Sequence, residues 1–484
     1  MPPVPSIEIP SISRLRSLAE QWAAILIAVA AAVSTALLIS GHHAKATTII
    51  PVGAIAATGL LLLAITDFTA FVIIVLAIRA MLDWSKTAPS HVTGAGASSG
   101  NAASAVAVMF MGAAIVWLLA QRRHRALRGD EARPSGLVVS ALLLFLVAGG
   151  LSVLGSRNHQ GSALEFLRIA SAVTMLIVLE RIMVDRKTVK RVLAACILAS
   201  VVPGFVAVTQ LAGGGGVFTA GGYSRVRGTF VHPNPYALFL TFTLILACAM
   251  FFQTPRKLRP WLALLMAGDA IALLLTYTRT GWLATIVGVF VLCALNKKLP
   301  QFFAVALVVG ILALPLAIGR LSDLGRLQRS NGTAGNSLIW RVGYWTQILP
   351  LADRNPITGI GLKQTQASLV EQKEPHNDFI RAYVETGVLG FIAYLGVQVA
   401  VWKTVRRALR ATKDRGGFDR AVATGFAGAA AAFTLVSVAS NVISSSVLLW
   451  YLFAVTAAAT VITNLPAERP PDRDLALPPP AVLP

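Results

Sequence analysis

The side chains in this 484-residue sequence that could do chemistry are one histidine and a few arginines, set among long apolar runs. His376 opens the stretch PHNDFIRAYVETGVLG (375–390), where a polar segment gives way to an apolar one. Imidazole is the side chain best suited to proton transfer near neutral pH. Asn377, Asp378, Arg381 and Glu385 follow it, a costly set at the mouth of an apolar helix unless they face protein, water or substrate. The plainer alternative is a polar helix start capped by Asn377 or Asp378. Arg225 and Arg227 flank Val226 in SRVRGTFVHPNPYA, where His232, Pro233, Asn234 and Pro235 open a helix. Arg279 sits in the short turn TYTRTGW, with Thr276, Thr278 and Thr280 around it, and Arg341 in WRVGYW. The guanidinium fork suits phosphate. Taken singly, these arginines also fit lipid-headgroup contact, snorkelling at a helix end or, for Arg341, loop packing. Several on one side together with a histidine point to a convergent anion site.

These residues need elements to hold them, and composition says which kind. The chain is 56% hydrophobic and 13% charged, with a mean hydropathy of +0.70. A soluble protein carries about a quarter charged residues. Apolar runs of about 17–25 residues recur throughout, the signature of an all-α polytopic membrane protein. Helices are expected at 22–40, 49–66, 68–83, 103–120, 137–155, 163–183, 190–211, 235–252, 259–277, 280–295, 301–318, 377–402, 421–441 and 446–463, that is, about 12–14 spans. The second and third are separated by little more than Asp67, so one of them reads as a possible re-entrant segment. Residues 1–21 read as a cytoplasmic tail, 22–463 as the transmembrane domain and 464–484 as a Pro-rich cytoplasmic tail. The basic loops QRRHRALRGDEAR, DRKTVKR, PRKLR, NKK and KTVRRALRATKDRGGFDR then all fall on the cytoplasmic side. Every candidate site residue falls on the opposite, external side. One long external loop, about 319–376, has the length of a functional segment.

The net charge of +21 is distributed as topogenic loops, which argues against nucleic-acid binding. Cys196, Cys248 and Cys293 lie in apolar runs and indicate neither a disulfide framework nor a thiolate site. His42 and His43 are adjacent while His91 and His159 stand alone, so no metal site is expected. Asp269, midway along an apolar run, reads as one half of a buried ion pair with Arg168 or Arg79 on another helix.

Taken in order, SRVRGTFVHPNPYA, TYTRTGW, WRVGYW followed by NPITGIGL, and PHNDFIRAYVETGVLG make the chain resemble the O-antigen ligase and polymerase superfamily of bacterial cell-surface glycan assembly. His376-Asn377, then Gly387 and Gly390, match the ligase spacing of His-Asn, nine residues and Gly-x-x-Gly. The resemblance covers about Tyr223 to Leu395. It implies a GT-C-like, metal-independent glycosyltransferase with no cofactor, in the bacterial cytoplasmic membrane with its active site external. The implied donor is an undecaprenyl-diphosphate-linked glycan and the acceptor a glycan or lipid, lipopolysaccharide among them. By the same resemblance Arg279 and one or both of Arg225 and Arg227 take the diphosphate, and His376 is the base. Asn377, Asp378, Asn234, Arg341 and Glu385 support them, and Gly387 and Gly390 allow close helix packing. The alternative within the family is a repeat-unit polymerase. The competing class is a lipid-linked glycan transporter or flippase.

Overall fold

The computed structural model describes residues 46–86, 102–128, 135–213, 217–220, 223–322, 337–368 and 373–467. The helix expected at 22–40 and nearly all of the 464–484 tail lie outside these residues. The chain opens with α1 (Ala46–Thr66) and α2 (Phe68–Arg79). Asp67 separates them because its carboxylate caps α2, accepting from the Ala70 N–H at 3.0 Å. Then come α3 (Ala102–Arg128), α4 (Leu137–Leu154) and α5 (His159–Ile182). The single helix expected at 190–211 is two, α6 (Arg186–Leu198) and α7 (Val201–Gly213). Pro203 stands in the first turn of α7, where its missing N–H costs no helical bond.

A short antiparallel hairpin, β1 (Phe218–Ala220) and β2 (Tyr223–Arg225), was not foreseen; Phe218 pairs with Arg225. It leads to α8 (Pro233–Met250), α9 (Arg259–Leu275), α10 (Arg279–Leu295) and α11 (Leu299–Ser322). The segment read as one long loop in fact contains the end of α11, α12 (Ser337–Ile348), a 3-10 turn (Leu349–Arg354) and α13 (Gln364–Ser368). The last three helices are α14 (Asp378–Ala411), which runs nine residues past its expected end, α15 (Gly417–Ala439) and α16 (Ser446–Asn464).

Among the described residues, 8 helical stretches are long and apolar enough to cross a membrane: α3, α4, α5, α6 with α7, α8, α14, α15 and α16. Shorter apolar helices lie at Gly53–Thr66, Phe68–Arg79, Arg279–Leu295 and Leu299–Ile311. The protein is an all-α polytopic membrane protein. Its bundle is layered: 89% of the apolar window of α16 is buried against 17% of that of α3, so α16 is central and α3 peripheral.

Helix ends sort into two faces. At one, Arg186 grips Asp419 through Nε (2.8 Å) and Nη2 (2.6 Å), and Arg415 donates to the Ile462 and Leu465 carbonyls. Arg420 reaches the carbonyls of Leu409 and Leu295. The loops after α5, α10 and α14 and the end of α16 therefore meet there. The other face gathers the β hairpin, the α9–α10 turn, the start of α14 and the α15–α16 turn.

A break in α14 fastens the segment before it. Gly387 has φ +66° and ψ −167°, which opens the helical ladder. The released groups pair with residues 356–361. Ile360 N–H donates to the Val384 carbonyl (3.1 Å) and Gly361 N–H to Glu385 (3.0 Å), while Val388 N–H donates to Pro356 (2.9 Å) and Leu389 N–H to Ile357 (3.3 Å). A Cβ on Gly387 would collide with the Ile357 carbonyl. Gly387 thus serves a helix break and not helix packing, because only glycine tolerates both this backbone and this approach. A small core of Tyr344, Ile348, Leu351, Ala352 and Ile360 seats the same segment on Val384 of α14.

Candidate active site

His376 precedes α14 with φ +53°, a left-handed conformation uncommon outside glycine. Its neighbours hold it from two sides. From α12, Trp345 Nε1 donates to the Pro375 carbonyl (2.7 Å), Tyr344 Oη donates to that of Lys373 (2.6 Å), and Trp340 packs edgewise on the imidazole at 5.9 Å. From the α15–α16 turn, the Asn441 amide lies 3.1 Å from His376 Nδ1. Asn377 caps α14, accepting from the N–H groups of Phe379 (3.0 Å) and Ile380 (3.1 Å). Asp378 is fully buried and does something else: it accepts from the N–H groups of Val442 (3.1 Å) and Ile443 (3.3 Å), so the start of α14 is tied to the turn that carries Asn441.

Below lies a buried ionic chain. Arg381 binds Glu385 through Nε (2.9 Å) and Glu165 of α5 through Nη2 (3.1 Å). Glu385 also accepts from Lys363 N–H (2.7 Å) and from the Thr365 hydroxyl. Glu385 therefore anchors the long loop to α14. Buried charges persist only when paired in this way.

Arg225 reaches across from β2 to the α9–α10 turn. Its Nε donates to the Thr276 carbonyl (2.7 Å), and its Nη2 donates to Asn234 Oδ1 (2.8 Å) and Thr278 Oγ1 (2.9 Å). The cation satisfies the exposed carbonyl end of α9. It also fixes the turn in which Tyr277 adopts φ +49° and from which Arg279 begins α10. Arg227 is half-buried and donates to the Val231 carbonyl at 3.1 Å.

The electrostatics show what converges. Burial, then the charges of Arg341, His232 and Lys373, push the His376 imidazole down to about 4. Burial lowers the Arg341 guanidinium, and Arg279 lowers it further. His232 is pushed down to about 4 by burial, Arg225 and Arg227. Arg279, Arg341, His376, His232, Arg225 and Arg227 thus occupy one cationic region, drawn from the heads of α8, α10 and α14, from β2 and from the long loop. Such a field is suited to an anion of more than one charge.

Asp269 stands apart and is corrected: it makes no pair with Arg168 or Arg79. Arg168 binds Glu165 of its own helix, and Arg79 binds Asp83 (2.9 Å) just beyond its helix and Ser446 of α16 (3.3 Å). The Asp269 carboxylate is buried and faces Gly204 of α7. Sequence reasoning missed three groups at the site. His232 was read as part of a helix opening, although a second histidine on the same side was a usable signal. Glu165 lies in an apolar stretch and Asn441 in the short SNVISSS turn before α16, both far from the motifs, and nothing local marks them. Among the described residues, no three His, Cys, Asp or Glu side chains gather as a metal ion would require.

Residues 261–395 match the family model described as O-Antigen ligase. That span takes in Arg279, Arg341 and His376, while Arg225, Arg227 and His232 precede it. Comparison with curated proteins gives no match.

Proposed function

We propose that this chain, which belongs to the O-antigen ligase and polymerase superfamily, transfers a glycan from an undecaprenyl-diphosphate carrier to an acceptor hydroxyl on the external face of the cytoplasmic membrane. The observation that carries this reading is the convergence of Arg279 and Arg341 with His376 at one end of the bundle. In the step, the acceptor oxygen forms a bond to the anomeric carbon and the bond from that carbon to the diphosphate oxygen breaks. The electron pair leaves on the diphosphate and the hydroxyl proton passes to His376. Arg279 and Arg341 hold the diphosphate, with Arg227 at its edge. Arg225, bound to Thr276, Thr278 and Asn234, positions the turn that presents Arg279. Fixed cations aimed at a leaving group stabilise the transition state without reorganising.

The depressed imidazole fits this role. Burial and the neighbouring cations keep His376 uncharged at neutral pH, ready to accept a proton. A bound diphosphate offsets the charge of Arg341, which raises the basicity of His376 when the donor is in place. The ligase-like spacing of His376-Asn377 with Gly387 and Gly390 favours transfer to a distinct acceptor over extension on the carrier.

The test is transfer from an undecaprenyl-diphosphate glycan in liposomes. Arg279→Ala and His376→Ala should each lower transfer, by about 10²–10³-fold if each group acts in the transition state. Full transfer by both variants, inserted and folded, would remove the site. The product distinguishes lengthening on the carrier from delivery to a new acceptor. Chelation should leave the rate unchanged.

A further inference from the structure

One carboxylate beside His376 is scarcely used by the contacts around it. Glu374 precedes His376 by two residues, and its side chain keeps 28% of its surface open. The backbone on either side is pinned from α12, where Tyr344 Oη donates to the Lys373 carbonyl (2.6 Å) and Trp345 Nε1 to that of Pro375 (2.7 Å). The Glu374 side chain meets the α15–α16 turn. There Ser444 Oγ lies 3.2 Å from Glu374 Oε2 and 3.2 Å from the Asn441 carbonyl. The Asn441 amide touches His376 Nδ1 at 3.1 Å, so the carboxylate and the imidazole flank the same turn.

The donors available to Glu374 are few. A hydroxyl has a single proton, so Ser444 serves Glu374 or the Asn441 carbonyl but not both at once. Glu374 Oε1 has no hydrogen-bond donor among the described residues. Arg381 Nη1 stands 4.0 Å from it and is itself without a hydrogen bond. Arg381 is already held by Glu385 at Nε (2.9 Å) and Glu165 at Nη2 (3.1 Å), and Arg168 shares Glu165, so the buried ionic chain closes without Glu374. Asp378, Glu385 and Glu165 are buried and bonded. Glu374 is the accessible carboxylate of this group, and an ionised carboxylate accepts at about four lone-pair positions. Neighbouring charge selects what can use them. Lys373 Nζ lies 4.7 Å from the centre of the Trp340 ring, whose edge packs on His376. A cationic ligand there meets Lys373 and Arg381, and an anionic one meets Glu374. A neutral ligand with neighbouring hydroxyls avoids both penalties and supplies the missing O–H donors.

We propose that Glu374 is a specificity-determining residue that binds a neutral sugar of the acceptor, taking its neighbouring hydroxyls on the open lone pairs and so holding the sugar beside His376. Ser444 steadies the carboxylate, and Asp378 steadies the turn that carries Ser444 through its bonds to residues 442 and 443. The sugar subsite stands on these contacts alone; that its occupant is the acceptor rests on the transferase reading above.

The first measurement is saturation-transfer NMR of the full chain in nanodiscs with methyl glycosides as probes. Methyl glucoside, mannoside and galactoside are neutral, methyl glucuronide is anionic and methyl glucosaminide is cationic. At least one neutral glycoside should bind, and better than either charged one. Glu374→Gln keeps the shape and the Ser444 contact but removes the charge, and should weaken that binding about 10-fold. The glucuronide should lose nothing in the same variant. No neutral glycoside bound by the parent chain, or equal binding by the variant, overturns the proposal. Kinetics supply the second arm, in liposomes with glycolipid from the source envelope as acceptor. Glu374→Gln should raise the acceptor KM about 10-fold with kcat and the donor KM little changed. A lower kcat with the acceptor KM unmoved would give Glu374 a structural role only and reject the proposal. Failure of the transferase reading would show instead as undiminished transfer by His376→Ala, with glycoside binding still dependent on Glu374.

Discussion

The surroundings of His376 keep its imidazole discharged. The cause is burial first and then three positive or potentially positive neighbours, Arg341, His232 and Lys373. Its pKa of about 4 lies below the ordinary imidazole value near 6.5, and His232 shares the shift. Between these limits the unfolded chain binds protons that the folded one refuses, so stability falls as pH drops from about 6.5 towards 4 and is fully present above that window. Thermal unfolding of the unliganded protein should accordingly shift downward over this range. His376→Asn should flatten the dependence, and an unchanged slope would show that the ring is not held neutral by its site. Arg225 makes a separate case. Because its Nε and Nη2 hold the Thr276–Thr278 turn, Arg225→Lys keeps the charge and loses the fork. It should lower transfer together with thermal stability, whereas Arg341→Lys should mainly weaken donor binding.

At the scale of the element, α14 matters most, because it is broken on purpose. Gly387 exposes two carbonyls and two N–H groups, and residues 356–361 take up all four. Gly387→Ala forces a side chain into a backbone with φ +66° and against the Ile357 carbonyl. Strain of this kind costs about 1–3 kcal/mol before the collision is counted. The variant should release the segment, and trypsin should then cut sooner at Arg354 and Lys363, which flank it. Gly396→Ala is the matched control: nothing lies within 4 Å of its added methyl, so digestion should proceed as in the parent chain. Equal digestion of the two variants would mean that the break does not fasten the loop.

The whole molecule places the His376 region and the basic contacts of Arg186, Arg415 and Arg420 at opposite ends. The basic end includes the Arg186–Asp419 grip and the Arg415 and Arg420 contacts. By the positive-inside tendency we propose that this end is cytoplasmic and the His376 end external. With Cys196, Cys248 and Cys293 replaced, Lys373→Cys should react with an impermeant maleimide in intact cells. Lys413→Cys, exposed at the other end, should react only after permeabilisation. The reverse pattern would invert the orientation and remove the site from the external face.

The sequence by itself determined that the chain is a helical membrane protein, where most helices lie, and which arginines and histidine to watch. A span must be apolar along its length, since no water in the bilayer satisfies stray polar groups, and that requirement is visible residue by residue. His376 and Arg279 were legible because polar groups at the ends of such runs stand out, and Arg341 because it stands in a polar loop long enough to be functional. Tertiary structure decided what these groups touch. The division between Arg225 as a strut and Arg279 with Arg341 in the cationic region depends on where the Thr276–Thr278 turn meets β2, about fifty residues back along the chain. The break at Gly387 depends on a loop docking there, because a lone glycine in a helix reads the same whether or not a partner strand arrives. Asn441 meets His376, and Glu165 meets Arg381, only through contacts across the bundle. Such contacts join residues distant in the chain, and neither periodicity nor composition records them.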